Sequence, residues 1–176
     1  MARQQKQVLV AESVPAAPVK SLFERLAGYL DANDWTYSAN EEKQYFTTDF
    51  NVKAGKLRVI LDVAESENWQ RVLVYSIFPV FVPEHRRAAV AESICKINYT
   101  LIFGNLELDP SDGEIRFRSI VESDGALSDS MIARALASNL DMTDQFFAPL
   151  LAVAFANTAP EKVLDLVVHN AAETVQ

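Results

Sequence analysis

The fold of this 176-residue chain can be worked out from one alternating segment, Leu57-Arg58-Val59-Ile60-Leu61-Asp62-Val63. Its odd-numbered positions are all apolar, which predicts a strand with one buried face. A turn at Glu65-Ser66-Glu67-Asn68 separates it from a second strand, Trp69 to Phe78. There, Val72-Leu73-Val74-Tyr75 has no polar face, which predicts a central strand covered on both sides. A connection this short implies that the two strands pair antiparallel.

Elements on either side of these strands follow from local signals. Ser21 and Glu24 form a capping box before apolar residues at helical spacing, which predicts a helix over residues 21–32. Pro79 and Pro83 are expected to close the second strand. The other predicted elements are a strand at 45–50, a helix from Pro83 to about Asn98, a hairpin with strands at 106–109 and 114–121, a long helix from Ser128, and a short helix over 158–168.

Strands therefore come in meanders and do not alternate with helices, which excludes a doubly wound parallel sheet. We predict the α+β class, with an antiparallel sheet of about five strands and flanking α-helices. Residues 1–17 are predicted to be a flexible N-terminal arm, residues 18–170 a single domain and residues 171–176 a C-terminal tail. Within the arm, Gln7-Val8-Leu9-Val10 either pairs as an added edge strand or stays mobile, as termini commonly do.

Composition restricts the partners and the compartment. The net charge of −8 and the pI near 4.8 disfavour nucleic acids and anionic bilayers, so neither is expected as a partner. No stretch approaches the ~20 apolar residues of a membrane span, so we predict no membrane insertion. The single cysteine, Cys95, excludes an intramolecular disulfide and is expected to be a small buried hydrophobe. A cytoplasmic protein fits this composition best.

Several blocks, in their order and spacing, resemble the YbjN family. They are Val72 to Glu84, Lys96-Ile97-Asn98-Tyr99, Gly104 to Asp109, Gly113 to Arg118 and Phe147 to Phe155. The resemblance implies a bacterial protein whose fold is like that of type III secretion chaperones, which are commonly dimeric and hold partly extended segments of other proteins. Members of the family are often labelled sensory or regulatory. The resemblance implies no catalytic residue, and a fold alone does not fix function.

Reactive side chains form no recognisable catalytic set in the sequence. The carboxylate pairs Glu41-Glu42 and Glu65/Glu67 fall in polar turns, where solvated charges are expected. His85 lies at the start of a helix and is expected to be exposed, without partner ligands nearby. A hydrolase would need a carboxylate pair in a cleft or Cys95 beside a histidine. We predict that the protein is not an enzyme and binds no cofactor and no metal.

Candidate protein-binding residues lie at the end of the second strand, in the strand at 45–50 and on the hairpin. They are Phe78, Val80, Phe81, Tyr45, Phe46, Arg116 and Arg118. The apolar members are either core or dimer contacts, or they form an exposed patch of the kind that marks a binding surface. Arg116 and Arg118 face outward, as a solvated row or as an anchor for an acidic tail.

Two functions compete on this basis. The first is a non-enzymatic chaperone-like or adaptor protein, expected to be a homodimer, that binds a segment of a partner protein as an assembly or regulatory factor. That segment would join a sheet edge or sit in an apolar groove. The alternative is a small-molecule-binding sensory or regulatory domain, which needs a closed pocket of roughly 300 Å³ or more.

Overall fold

A computed structural model describes residues 20–53 and 55–167. In chain order the elements are α1 (Leu22–Ala32), β1 (Tyr37–Asn40), β2 (Tyr45–Val52), β3 (Gly55–Glu65), β4 (Trp69–Phe81), α2 (Glu84–Thr100), β5 (Asn105–Leu108), β6 (Glu114–Asp124), α3 (Asp129–Phe155) and a 3-10 turn at Pro160–Lys162. The turn continues as helix over residues 163–167. The predicted flexible arm and C-terminal tail lie outside the described residues.

The six strands form one sheet in the order β1-β2-β3-β4-β6-β5, and every neighbouring pair is antiparallel. The α+β class and the helix-flanked antiparallel sheet are therefore confirmed. The strand count is six instead of five because the polar stretch Tyr37–Asn40 pairs with β2. It has only four residues and none of them is fully buried, so the ladder, and not a hydrophobic pattern, identifies it as a strand.

All three helices pack on one face of the sheet. We call this the inner face; on β3 it carries Leu57, Val59, Leu61 and Val63, which are all buried. Helices α2 and α3 cover one half of it and helices α1 and α3 cover the other. The outer face carries the alternate residues, and no described element lies across it. The prediction that β4 is covered on both sides is therefore wrong, since Leu73 and Tyr75 are only half-buried.

A buried polar cluster joins α3 to the middle of the inner face. Asn139 is 0% exposed. Its side-chain amide donates to the Val74 carbonyl at 3.0 Å and to Ser119 Oγ at 2.8 Å, and its Oδ1 accepts from Ser76 Oγ at 2.5 Å. Because buried polar groups are costly when unpaired, this cluster fixes the position of α3 over β4 and β6.

The N-terminus of α1 is held by side chains from the β3–β4 turn. The predicted capping box of Ser21 and Glu24 is present. The Leu22 N–H also donates to both carboxylate oxygens of Glu65, at 2.9 and 3.1 Å. Gln70 donates to Glu65 at 2.8 Å and accepts from the Leu127 N–H at 2.9 Å. Glu65, expected to be a solvated turn residue, therefore satisfies amides at a helix N-terminus, where negative charge is favourable.

The sequence suggested that strand β4 ends at the first proline, Pro79, and this prediction is wrong. The strand runs through Pro79 to Phe81, with an irregular register between Ile77 and Phe81 where it pairs with β6. Proline has no N–H to give to a ladder, and a bulge at this point removes the need for one. Pro83 is the N-cap of α2.

Helix α2 turns Cys95 away from the core, so the expectation that it is buried is wrong. Its inward residues are Val90, Ser93, Ile94 and Ile97. Cys95 follows Ile94 by one position, about 100° further around a helix with 3.6 residues per turn, and it is exposed.

Two arginines of α2 have structural roles. Arg86 donates to the carbonyl of Val153 in the last turn of α3 and to the carbonyl of Thr158 just beyond the helix. Arg87 donates to the carbonyls of Pro110, Ser111 and Asp112 in the β5–β6 turn. These bonds occupy both guanidinium groups, so neither is offered to a ligand.

Candidate functional site

The register of the ladders places the outer-face side chains in rows across the sheet. One row reads Thr47, Ile60, Tyr75, Arg118, and the next reads Asp49, Arg58, Ile77, Arg116. Side chains directly opposite each other lie about 5 Å apart. The outer face therefore has the apolar residues Ile60, Tyr75 and Ile77 of β3 and β4 near its centre, with charged residues beside them on β2, β3 and β6.

These rows form the floor of an open groove with a volume of about 1250 Å³. Ile60, Tyr75 and Ile77 lie in its floor and are half-buried. Trp35 and Tyr37, from the segment before β2, contribute to one wall. An apolar floor that no described element covers is the kind of surface that binds a partner.

Cations collect where the groove meets β6. The Arg116 guanidinium lies 4.8 Å from the ring centroid of Tyr75 and bonds Glu107 Oε2 at 2.7 Å. Arg118 bonds the other oxygen of Glu107 at 3.0 Å. Arg58 forms no ion pair with a described residue. Among the described ion pairs, Glu107 is the one acidic partner of both Arg116 and Arg118, so two guanidinium groups share a single carboxylate.

The protonation of Glu107 follows from these contacts. Burial opposes the charged form, but hydrogen bonds from Arg116 and Asn105 and the nearby arginine charges outweigh it, so the pKa of Glu107 is lowered. The pKa of Arg116 is raised: burial opposes its charge, and the bond to Glu107 outweighs that opposition. The cluster therefore stays charged at neutral pH.

The candidate binding residues separate into two groups. Tyr45, Arg116 and Arg118 lie on the outer face, and Phe81 is 62% exposed at the end of β4. Val80 is half-buried and packs against the core. Phe46 and Phe78 are 0% and 2% exposed, so the prediction that they form a binding surface is wrong. They are core residues because period two places them on the inner face.

The sequence did not single out Arg58, Ile60, Tyr75 and Ile77, although all four line the groove. Their signal was the alternation itself, because each lies between two inner-face residues of β3 or β4. In β4, the apolar run was interpreted as a strand covered on both faces, so its outer-face residues were not recognised as a possible binding surface.

Other reactive groups are dispersed. Within residues 20–53 and 55–167, no three His, Cys, Asp or Glu side chains gather as metal ligands would. His85 and Cys95 are both exposed on α2. None of the helices in these ranges combines the length and apolar character that crossing a bilayer requires.

The fold and the groove define a two-layer α+β protein, with helices on one face of an antiparallel sheet and an open groove on the other. A match to the YbjN family, described as "Putative bacterial sensory transduction regulator", spans residues 22–152. The chain belongs to this family. It is also similar to the crystal structure of YbjN from E. coli, described as "a putative transcription regulator". The TM-score is 0.51 at 11% identity, covering 76% of this chain and 90% of that one. An identity this low shows a shared fold alone. Among proteins with curated functions, none matches this chain.

Proposed function

We propose that this protein is a non-enzymatic adaptor that holds a segment of a partner protein in the groove of its outer face. The observation that carries this proposal is the half-buried apolar floor of Ile60, Tyr75 and Ile77, which no described element covers. Exposing apolar surface to water is unfavourable by about 25 cal/mol per Å². A bound segment that covers the floor removes this surface from water, and the complex is stabilised by that amount.

The charges beside the floor indicate the chemistry of that segment. Arg58 and Arg116 flank Ile77 in one row of the outer face, and Arg118 lies beside Tyr75 in the next row. Arg116 and Arg118 share Glu107, whereas Arg58 forms no ion pair with a described residue. Guanidinium groups bind carboxylates with paired hydrogen bonds. The segment we propose has apolar side chains that meet the floor and a carboxylate that meets the arginines.

A small regulatory ligand is the alternative, and the family description as a sensory regulator favours it. Ligand sites usually enclose most of the ligand in a cavity of about 300–1,000 Å³. The groove here is larger, at about 1250 Å³, and open along one side. It would cover one side of a small molecule only, so a chain segment fits it better.

A photo-crosslinking residue at Thr47, which lines the groove, tests the proposal in cells. The matched control carries the same residue at Ala137, which is exposed on α3 on the other side of the molecule. We expect position 47, and not position 137, to crosslink to one segment of one protein. Crosslinks of equal yield from both positions, or none from position 47 of the folded protein, would contradict the proposal.

A synthetic peptide of the crosslinked segment then allows its affinity to be measured by fluorescence anisotropy. Ile77→Lys places a charge on the floor and Arg58→Glu reverses a charge beside it, so each is expected to weaken binding at least about tenfold, or ~1.4 kcal/mol. Ala137→Lys is the control and should bind like the unmodified protein. Equal affinity for all four proteins would exclude the groove. Stabilisation by one class of small metabolites in a thermal shift assay, without peptide binding, would favour the sensory alternative.

A further inference from the structure

The edge of β6 that faces away from β4 is paired over only part of its length. Strand β5 has four residues, and its ladder ends where Asn105 meets Arg118. On the other side, β4 pairs with β6 as far as Asp124. Between Ser119 and Asp124 the described residues supply no strand to this edge, so alternate backbone N–H and C=O groups point away from the sheet. We call residues 119–124 the open edge.

Apolar surface lies on both sides of the open edge. On the outer face, Ile120 is 52% exposed. Beside the edge, between β6 and α3, lies a depression of about 200 Å³. Its lining is mostly apolar and comprises Phe103, Ile120, Val121, Met131 and Ala135, with Arg134 and Ser138 as the polar members. An added strand would therefore find backbone partners, an apolar contact on the outer face and a recess for one side chain on the helix side.

The charges of the open edge restrict the strand that can occupy it. Glu122 and Asp124 share the outer face with Ile120 because strand residues alternate between faces. Neither carboxylate forms an ion pair with a described residue. The strand that fits best has a cation opposite Glu122 and, two positions away on the same face, an apolar residue opposite Ile120. On its other face it has an adjacent apolar residue that points toward the recess.

The N-terminal part of this chain has that pattern in Lys6-Gln7-Val8-Leu9-Val10. If it is antiparallel to β6 with Lys6 opposite Glu122, Val8 lies opposite Ile120. Gln7 and Leu9 then face the helix side, opposite Val121 and Ser119. Leu9 is therefore a diagonal neighbour of Val121, which lines the recess together with Met131. One register thus pairs Lys6 with Glu122 and Val8 with Ile120, and it brings Leu9 to the rim of the recess.

The structure also places this segment within reach. Helix α1 begins next to the end of β6, because Gln70 links its N-terminal region to Leu127 and lies opposite Ser123 in the ladder. Residues 11–19 separate Val10 from the first described residue, Lys20, and they can span up to ~30 Å at ~3.3 Å per residue. The open edge, with six residues, is ~20 Å long.

We propose that residues 6–9 add to the open edge as a seventh strand of the same chain. This strand is antiparallel to β6, with Lys6 opposite Glu122, and it ends before Arg118, which already pairs with Asn105 of β5. Tethering gives the segment an effective concentration near the millimolar range, so it competes well against free strands. The open edge is separate from the groove of the outer face, and either surface can fail its test without affecting the other.

Disulfide trapping tests this arrangement in the full-length chain. In a Cys95→Ser background, Val8→Cys is paired with Ile120→Cys, since opposite residues in a ladder are close enough for a disulfide. The matched control pairs Leu9→Cys with Ile120→Cys, two positions that the proposed register places on opposite faces. We expect the first pair to close within one chain under mild oxidation, at least tenfold faster than the control. Circular dichroism verifies that both variants are folded.

The products decide among the possible occupants. An Ile120–Ile120 disulfide between two molecules as the main product would place a second copy at the edge and overturn the proposal. A disulfide between position 8 of one molecule and position 120 of another would also overturn it, as would equal rates for the two pairs. In the trapped pair, Lys6→Glu should slow closure at least threefold, and adding Glu122→Lys should restore the rate. A rate insensitive to both changes would exclude the proposed register.

Discussion

The two faces of the sheet are made by the same strands, yet they have opposite surroundings. The inner face is sealed by three helices, with a single polar cluster around Asn139 at its centre. The outer face carries apolar side chains of similar size, such as Ile60 and Ile77, but these stay half-buried beside charged neighbours. The difference shows that apolar character predicts burial only when another element is available to cover it. Here, the uncovered apolar residues are the best candidates for function.

The sharpest test of this comparison uses two phenylalanines of β4. Phe78→Asp would bury a carboxylate in the inner core, at a cost of several kcal/mol, and we expect this variant not to fold. Phe81→Asp changes a residue that is 62% exposed, so its free energy of unfolding should stay within about 0.5 kcal/mol. Circular dichroism and urea denaturation measure both. In addition, Phe81→Asp is expected to weaken association with itself or a partner in sedimentation experiments. Unfolding of Phe81→Asp would place this residue in the core after all.

A second pair of substitutions compares the stability contributed by two neighbouring residues of β3 that point to opposite faces of the sheet. Leu61→Ala removes a fully buried side chain and should lower the free energy of unfolding by about 3 kcal/mol. Ile60→Ala removes a half-buried side chain of the groove floor, and we expect a loss of at most about 1 kcal/mol. Denaturant midpoints at constant slope measure the difference. Equal losses would mean that the outer face is covered in solution.

The polar cluster on the inner face gives a third expectation. Asn139→Leu leaves Ser76, Ser119 and the Val74 carbonyl without their buried partner, which should cost about 2 kcal/mol. The neighbouring Ser138→Ala, at an exposed position of α3, serves as the control and should change stability little. If Ser76→Ala and Asn139→Leu were simply additive in a double-mutant cycle, the bond between them would not contribute to stability.

The smallest effect is expected from the ion cluster on the outer face. Because the pKa of Glu107 is lowered in the folded state, its contribution is present at neutral pH and is lost as the pH falls through that lowered value. Glu107→Gln should therefore be less stable than the unmodified protein by less than about 1 kcal/mol at pH 7. The difference should shrink in acid, as urea titrations at several pH values can show. A difference that does not vary with pH would indicate that the bonds to Arg116 and Arg118 do not persist in solution.

Much of the fold could be predicted from local signals. The capping box at Ser21, the turn at residues 110–113 and the alternation in β3 each specify an element through neighbouring residues alone. The side of a helix that Cys95 occupies, and the bulge that carries β4 past Pro79, depend on contacts with distant strands. Of the candidate binding residues, Arg116 and Arg118 were placed correctly on an outward face by period two. Phe46 and Phe78 were placed wrongly, because aromatic side chains are common both in protein cores and on binding surfaces.

The antiparallel α+β arrangement, the positions of most helices and strands and the family of the protein can all be inferred from the amino-acid sequence. These follow from periodicities and caps that act over a few residues. Long-range contacts establish which face of the sheet the helices cover, which arginines are occupied by carbonyl groups of the fold and where the described residues leave the edge of β6 unpaired. These properties arise between elements that are far apart in the chain, where no local pattern records them.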